Sequence, residues 1–130
     1  MLETLSTEVL EAIFDTLPLD LTFVDGTDTV RYYSRGEKRI FRRTPAVIGK
    51  KVQQCHPQQS IHKVEQVVSD LKSGKRDVAE FWIELKGRMI YIRYFPVKDK
   101  DGKYLGIVEV SQDITDLQKI KGERRLLDME

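Results

Sequence analysis

The clearest pattern along the chain is a pair of β-rich runs, residues 89–98 and 103–114, on either side of the turn Lys-Asp-Gly. An Asp-Gly pair between two such runs predicts a β-hairpin, because glycine adopts positive φ without a steric penalty. Residues 19–24 and 29–34 predict a shorter hairpin around another Asp-Gly turn. Residues 77–86 alternate in the same way. The pattern therefore predicts five strands.

Helical spacing appears in three other stretches. Residues 6–17 gather their apolar side chains on one face, with Ser6 as N-cap. That apolar face requires cover from the domain itself or from a partner chain. Residues 57–73 form the best amphipathic helix, with proline at its start and glycine just past its end. Residues 115–118 form a capping box that predicts an exit helix.

The stretch between the second strand and the long helix has neither period. Gly36, Pro45 and Gly49 divide residues 35–52 into short helical turns. Five residues from Arg35 to Arg43 are basic. We interpret this as a solvated face of short helices. A phosphate or nucleic-acid patch is the alternative, but no interleaved aromatic residues support it.

Composition limits the class of protein. A chain of 130 residues with a net charge of +1 indicates one domain with no bulk attraction to nucleic acid or membranes. One cysteine excludes an internal disulfide. No apolar run reaches the roughly 18 residues of a membrane span, and the N-terminus does not resemble a signal peptide. We expect a cytoplasmic α+β domain, and its helical ends suggest a module of a longer chain.

Three motifs resemble the PAS sensor domain: VDGTDTVRYYS at 24–34, TPAVIGKKV at 44–52, and VKDKDGKYLGIVEVSQDIT at 97–115. The last ends in the Asp-Ile-Thr typical of the family. The resemblance implies a five-stranded antiparallel sheet with short helices and one long helix on one face. It also implies flanking helices at both ends.

The resemblance places the domain core at 19–113, the N-terminal flanking helix at 1–18 and a C-terminal signalling helix at 114–130. Gln-Cys-His-Pro at 54–57 further resembles the PAS module at the end of bacterial hemerythrin-like regulatory proteins. One departure is Ser34, where many PAS domains carry asparagine. A hydrogen bond to the short helices that is typical of the family is expected to be missing or altered.

The function implied by the resemblance is sensory. Such domains bind a small molecule or cofactor between sheet and helices, or dimerise without one, and signal through their flanking helices to a fused or partner output domain. The alternatives are a ligand-free dimerisation module with a filled core and a small enzyme. The enzyme would need His56, Glu84 and Glu109 around one cavity. No catalytic motif is present, so we expect no enzyme.

The register of the flavin-binding PAS subfamily assigns inward positions on the last three strands, and apolar residues elsewhere complete a predicted ligand pocket. Its residues are Phe23, Tyr32, Phe41, Ile61, Val64, Trp82, Glu84, Ile92, Tyr94, Ile107, Glu109 and Ser111. An enclosed carboxylate such as Glu109 must be paired or take up a proton. It either reads a polar or cationic ligand group or forms a salt bridge with an arginine or lysine.

The cofactor is left unknown by the sequence. Haem-binding PAS domains ligate iron through a histidine on the long helix, so His62, and less directly His56, are candidate haem or metal ligands. Flavin photochemistry is disfavoured because Cys55 lies in Gln-Gln-Cys-His-Pro rather than Asn-Cys-Arg. We expect Cys55 to be a buried small hydrophobe or an inert thiol, and no complete metal site is predicted.

The opposite sheet face is predicted to be too apolar for open solvent, so we expect the N-terminal helix or a second copy to cover it. The predicted homodimer surface comprises Val9, Leu10, Ile13, Phe14, Phe81, Tyr91 and Val108. A shift of the sheet would reach the exit helix through Asp113, Thr115 and Gln118.

Overall fold

The computed structural model describes residues 1–36 and 39–128. Its helices and strands are α1 (Thr7–Thr16), β1 (Asp20–Asp25), β2 (Val30–Tyr33), α2 (Ile61–Ser73), β3 (Ala79–Leu85), β4 (Arg88–Lys98) and β5 (Tyr104–Asp113). The strands form one antiparallel sheet in the order β2-β1-β5-β4-β3. The predicted fold class, α+β with the PAS topology, is confirmed.

Local sequence signals set the ends of the helices. The Ser6 hydroxyl accepts a hydrogen bond from the Val9 amide at 3.1 Å and so caps α1. Helix α2 ends at Gly74, whose φ of 83° closes the helix in the left-handed conformation. Single 3₁₀ turns at Pro45–Val47 and Val52–Cys55 confirm the short helical turns predicted there. Residues 37 and 38 of that predicted stretch lie outside the described residues.

Alternation along the strands gives the sheet two faces, and α2 packs on one of them, the inner face. Val68 and Leu71 of α2 form a buried cluster with Ile107 of β5. Cross-strand register places Thr22, Glu109 and Tyr94 in one row of that face. The neighbouring row, with Phe23 opposite Val108, therefore points to the outer face.

The two central strands approach closely near one end of the sheet. Gly106 has a φ of 152°, and a Cβ built on it would lie 2.1 Å from the Val24 carbonyl oxygen. No larger residue fits there without moving the backbone, so Gly106 permits the β1–β5 pairing that carries the inner face.

Helix α1 lies against β2 rather than across the sheet. The rings of Phe14 and Tyr32 are 5.7 Å apart, and the Asp15 carboxylate accepts a hydrogen bond from the Arg35 amide at 2.7 Å. Ile13 of α1 nevertheless remains 45% exposed, and Trp82 on the outer face of the sheet is 63% exposed. The apolar stripe of α1 is thus only partly covered in a single chain.

The exit helix predicted over 114–130 is not formed within residues 114–128. The described part of this segment contains one 3₁₀ turn, Leu117–Lys119, followed by irregular chain. Ile120 and Leu127 are 68% and 82% exposed. A short helix without a packing partner is marginal in water, which explains the difference. Residues 129 and 130 of the prediction lie outside the described residues.

Helix length also bears on the membrane question. Among the described residues, no helix combines the length and the apolar character required to cross a bilayer.

Candidate ligand-binding cavity

A cavity of about 650 Å³ lies between the inner face of the sheet, α2 and the short helical turns. Its apolar walls are Val24, Val30 and Ile107 from the sheet, and Val64, Val67 and Val68 from α2. The volume falls within the range of small-molecule sites. Apolar walls in such a space provide affinity, so the specificity must come from the polar groups among them.

The main polar group on the sheet wall is Glu109. Its side chain is 14% exposed, and Arg43 donates a hydrogen bond from Nη2 to Oε1 over 3.4 Å. Tyr94 lies opposite Glu109 on β4. Burial, then the negative charge of Glu109 and a hydrogen bond to it, raise the pKa of Tyr94 well above its usual range. The structure therefore shows the salt bridge that the sequence left as one of two alternatives.

Arg43 is positioned by a buried polar anchor around Arg39. The Arg39 guanidinium donates hydrogen bonds to the carbonyl oxygens of Ser34 at 2.8 Å and Phe41 at 2.6 Å, and to the Thr22 hydroxyl at 2.9 Å. It also lies 3.8 Å from the Asp20 carboxylate, and both side chains are under 10% exposed. These contacts tie the segment before Arg43 to β1.

Asp20 completes this anchor from the strand. Its carboxylate oxygens accept hydrogen bonds from the amides of Ile40 at 3.2 Å and Phe41 at 2.9 Å. Burial of the Arg39 guanidinium lowers its pKa, although the Asp20 charge opposes that shift. The Ser34 hydroxyl accepts from the Leu21 amide at 2.9 Å and from Arg39 at 3.1 Å. The sequence predicted that the hydrogen bond from this position to the short helices is missing or altered. In the structure, Ser34 instead accepts a hydrogen bond from Arg39.

The mouth of the cavity is basic. Arg42, Lys50 and Lys63 join Arg43 in the lining, and all three are exposed. Within residues 1–36 and 39–128, Glu109 is the single carboxylate of the lining. The four cations come from both sides of the opening, the turn segment and α2. The site therefore has apolar walls and an excess of positive charge.

Four predicted pocket residues line the cavity: Val64, Tyr94, Ile107 and Glu109. Ile92 and Ser111 are buried on the inner face, but do not reach the cavity surface. Phe41 and Ile61 are half-buried outside the lining. Phe23 and Tyr32 are cross-strand partners on the outer face. Phe23 follows Thr22, which points to the inner face, and successive residues of a strand point to opposite faces.

The predicted register of β3 is wrong by one residue. Phe81 pairs with Ile92 and lines the cavity, so it does not belong to the outer surface. Trp82 pairs with Tyr91 on the outer face, where the two rings lie 6.3 Å apart, and Glu84 points the same way. Both phases of this edge strand carry large apolar residues, so alternation alone does not identify the buried face. Glu84 consequently does not converge with His56 and Glu109.

Of the candidate metal and redox residues, Cys55 and His56 both line the cavity, and His62 lies apart from them. His62 is exposed in a neighbouring groove, whereas His56 is half-buried at the cavity with Nδ1 2.9 Å from the Val52 carbonyl oxygen. Cys55 is exposed rather than buried. Within the described ranges, no three His, Cys, Asp or Glu side chains gather as a metal site.

Several residues of the site were missed from the sequence, above all Asp20, Arg39 and Arg43. They lie at the end of a strand or in the aperiodic basic stretch, where hydrophobic periodicity gives no information. One signal was available: Asp20 is a charged residue inside the apolar strand predicted at 19–24. A buried charge at that point requires a cationic partner, and the nearby basic stretch supplies it.

Two of the three predicted relay residues, Asp113 and Thr115, meet in a second polar cluster at the end of β5, which we name the clasp: Arg88, Met89, Asp113, Thr115 and Asp116. The third, Gln118, lies outside the clasp, and its amide donates to the Ile114 carbonyl oxygen at 3.0 Å. Asp113 lies 2.8 Å from Arg88 Nε and accepts from the Thr115 amide at 3.0 Å. Thr115 Oγ1 accepts from the Met89 amide at 2.8 Å. Arg88 lowers the pKa of Asp113 to about 2.

The comparisons with known proteins agree with this architecture. A family model described as PAS domain matches residues 10–115, and the chain belongs to that family. A crystal structure of a C-terminal domain from Streptococcus mutans is 34% identical, with a TM-score of 0.83, and the match covers 90% of this chain and 91% of that one. No curated protein matches the chain significantly.

More distant structures share the fold. The PAS domain of BvgS from Bordetella pertussis is 19% identical with a TM-score of 0.59, over 86% of this chain and 90% of that one. A sensory box sensor histidine kinase from Vibrio cholerae is 16% identical with a TM-score of 0.58, over 83% and 91%. PAS domains are generally sensory rather than catalytic, and those of sensor kinases often dimerise and connect to output domains.

Proposed function

We propose that this domain binds a small molecule in the cavity beside Glu109 and transmits its occupancy through β5 to the segment after Asp113. The observation that carries the proposal is the cavity itself, an apolar space of about 650 Å³ with one paired carboxylate on its wall. A ligand-free interaction module would be expected to fill this space with side chains.

The route of transmission follows from the strand register. Glu109 and Asp113 are four residues apart on β5, about 13 Å along a strand, and both point to the inner face. Tyr94 and Arg88, their partners, share β4 in the same way. A ligand that changes the Glu109–Tyr94 pair therefore acts on the two strands that hold the clasp.

Homodimerisation through α1 and the outer face completes the proposal. Val9 and Ile13 on the apolar stripe of α1, and Leu17 directly after it, are each more than 40% exposed, and Trp82 is 63% exposed on the sheet. Large exposed apolar side chains in one region favour association. The signal would then pass to a fused or partner output domain through the flanking segments.

The wider context rests on likeness alone. The relative from Streptococcus mutans is a C-terminal domain, which supports the proposal that this chain acts as a module at the end of a longer regulatory protein. Association with hemerythrin-like proteins rests on the motif at 54–57. A cytoplasmic location is part of the same proposal.

Native mass spectrometry, together with an absorbance spectrum of the purified protein, tests ligand binding. The proposal predicts extra mass that is lost on denaturation and is reduced in a cavity-filling Val67→Phe variant. Haem ligation by His56 or His62 would add a visible absorbance band. Only apo protein, with no mass gained from a metabolite extract, would favour the ligand-free dimerisation module.

A further inference from the structure

The charge around the cavity indicates which kind of molecule it selects. Among the described residues, the lining carries four cationic side chains, Arg42, Arg43, Lys50 and Lys63, against one carboxylate, that of Glu109. The apolar walls lie deeper, on the sheet and on the inward side of α2. A molecule complementary to both features has an apolar body and an anionic group at one end.

We propose that the cavity binds an amphipathic carboxylate, with its alkyl body between α2 and the sheet and its carboxylate on Arg43. This inference rests on the proposed function. Arg43 is suited to this role because its side chain is 29% exposed and its contact with Glu109 is long, at 3.4 Å. A guanidinium binds a carboxylate best through two parallel and shorter hydrogen bonds.

Glu109 then acts as an internal competitor for Arg43. Without ligand, the two side chains neutralise each other across the cavity. When a carboxylate binds Arg43, the Glu109 carboxylate stays beside Tyr94, its cross-strand neighbour on β4. The opposite polarity, a cationic ligand on Glu109, would place a third positive group beside Arg43 and Arg42, which Coulomb repulsion disfavours.

The test uses three probes with the same alkyl chain: octanoate, 1-octanol and octylammonium. Binding to the full chain is followed by amide chemical shifts of cavity residues and by calorimetry. We expect octanoate to bind at least about tenfold more tightly than octanol, as for a hydrogen bond to a charged group. Octylammonium should bind more weakly than octanol.

Two substitutions with opposite expected signs separate the roles of the pair. Arg43→Gln should weaken octanoate binding by about tenfold or more and leave octanol binding unchanged. Glu109→Gln should strengthen octanoate binding, because it frees Arg43. Arg125→Gln, the same change in the exposed C-terminal segment, is the matched control. Arg43→Lys keeps the positive charge and should retain the preference for octanoate even if Arg43→Gln folds poorly.

The outcomes distinguish the two levels of the proposal. If octylammonium binds best, or if Glu109→Gln weakens octanoate binding, the carboxylate class is wrong while the cavity remains a ligand site. Equal binding of all three probes would also overturn the class. If no probe binds and native mass spectrometry finds no other ligand, both the class and the proposed ligand-binding function fail.

Discussion

Replacement of Arg39 by methionine is the sharpest test of how the cavity is built. The substitution keeps an unbranched stem but removes a guanidinium that donates five hydrogen bonds, to Leu21, Thr22, Ser34 and Phe41. It leaves the Asp20 carboxylate, 6% exposed, without its cation. Breaking a buried ion pair by removing one partner costs about 3–5 kcal/mol.

Urea denaturation measures this loss directly. With an m value of roughly 2 kcal/mol per molar urea, the midpoint of Arg39→Met should fall by about 2 M. Arg31→Met is the matched control: Arg31 contacts Asp25 at 2.6 Å, but its side chain is 61% exposed. Because solvent screens that pair, its loss should lower the midpoint much less.

A double-mutant cycle tests the coupling to Asp20. Asp20→Asn combined with Arg39→Met should be more stable than the sum of the two single losses by at least about 1 kcal/mol, because contacting residues in one network are not additive. Additive losses, or an Arg39→Met midpoint as little changed as that of Arg31→Met, would refute the view that this anchor holds the segment carrying Arg43.

Three further predictions concern the clasp, the cavity wall and the dimer. Asp113→Ala should speed amide hydrogen exchange at residues 115–118 and leave exchange in β1 unchanged. Arg88 lowers the pKa of Asp113 from 3.8 to about 2. The wild-type clasp should therefore be intact above about pH 4 and be lost as the pH falls towards 2. Unchanged exchange in Asp113→Ala would argue against coupling. The raised pKa of Tyr94 means that unfolding releases a proton above about pH 10, so stability should decline there; denaturation midpoints of Tyr94→Phe should decline less. Ile13→Glu should convert a dimer to a 15.1 kDa monomer in light scattering, whereas Ala12→Glu, on the polar side of α1, should not. A wild-type monomer at tens of micromolar would contradict the dimer.

The sequence predicted the strands and both amphipathic helices because each is encoded by local periodicity and turn residues. The Asp-Gly turn between β4 and β5 and the Gly74 helix end are examples. The prediction of the exit helix was wrong for a related reason. Its capping residues were present, but Thr115 bonds to Met89 in the structure. Its apolar residues have no partner among the described residues of one chain.

The candidate site was only partly predictable. Glu109, Tyr94 and Ile107 follow from the inner phase of long strands, whereas the phase of β3 was ambiguous because Trp82 and Phe81 are both large and apolar. Arg39 and Arg43 belong to a segment whose conformation is decided by long-range hydrogen bonds to β1. Such bonds leave no periodic trace in the sequence.

The central claim, that cavity occupancy reaches the clasp through β5, is tested most directly by an octanoate titration followed by amide chemical shifts. The account predicts that the amides of Ile107 and Glu109 in the cavity, of Ile114 within the clasp and of Gln118 beyond it shift with one common Kd. Asp113→Ala should abolish the second response and preserve the first. Saturation of the cavity signals with Ile114 and Gln118 unmoved would contradict the account.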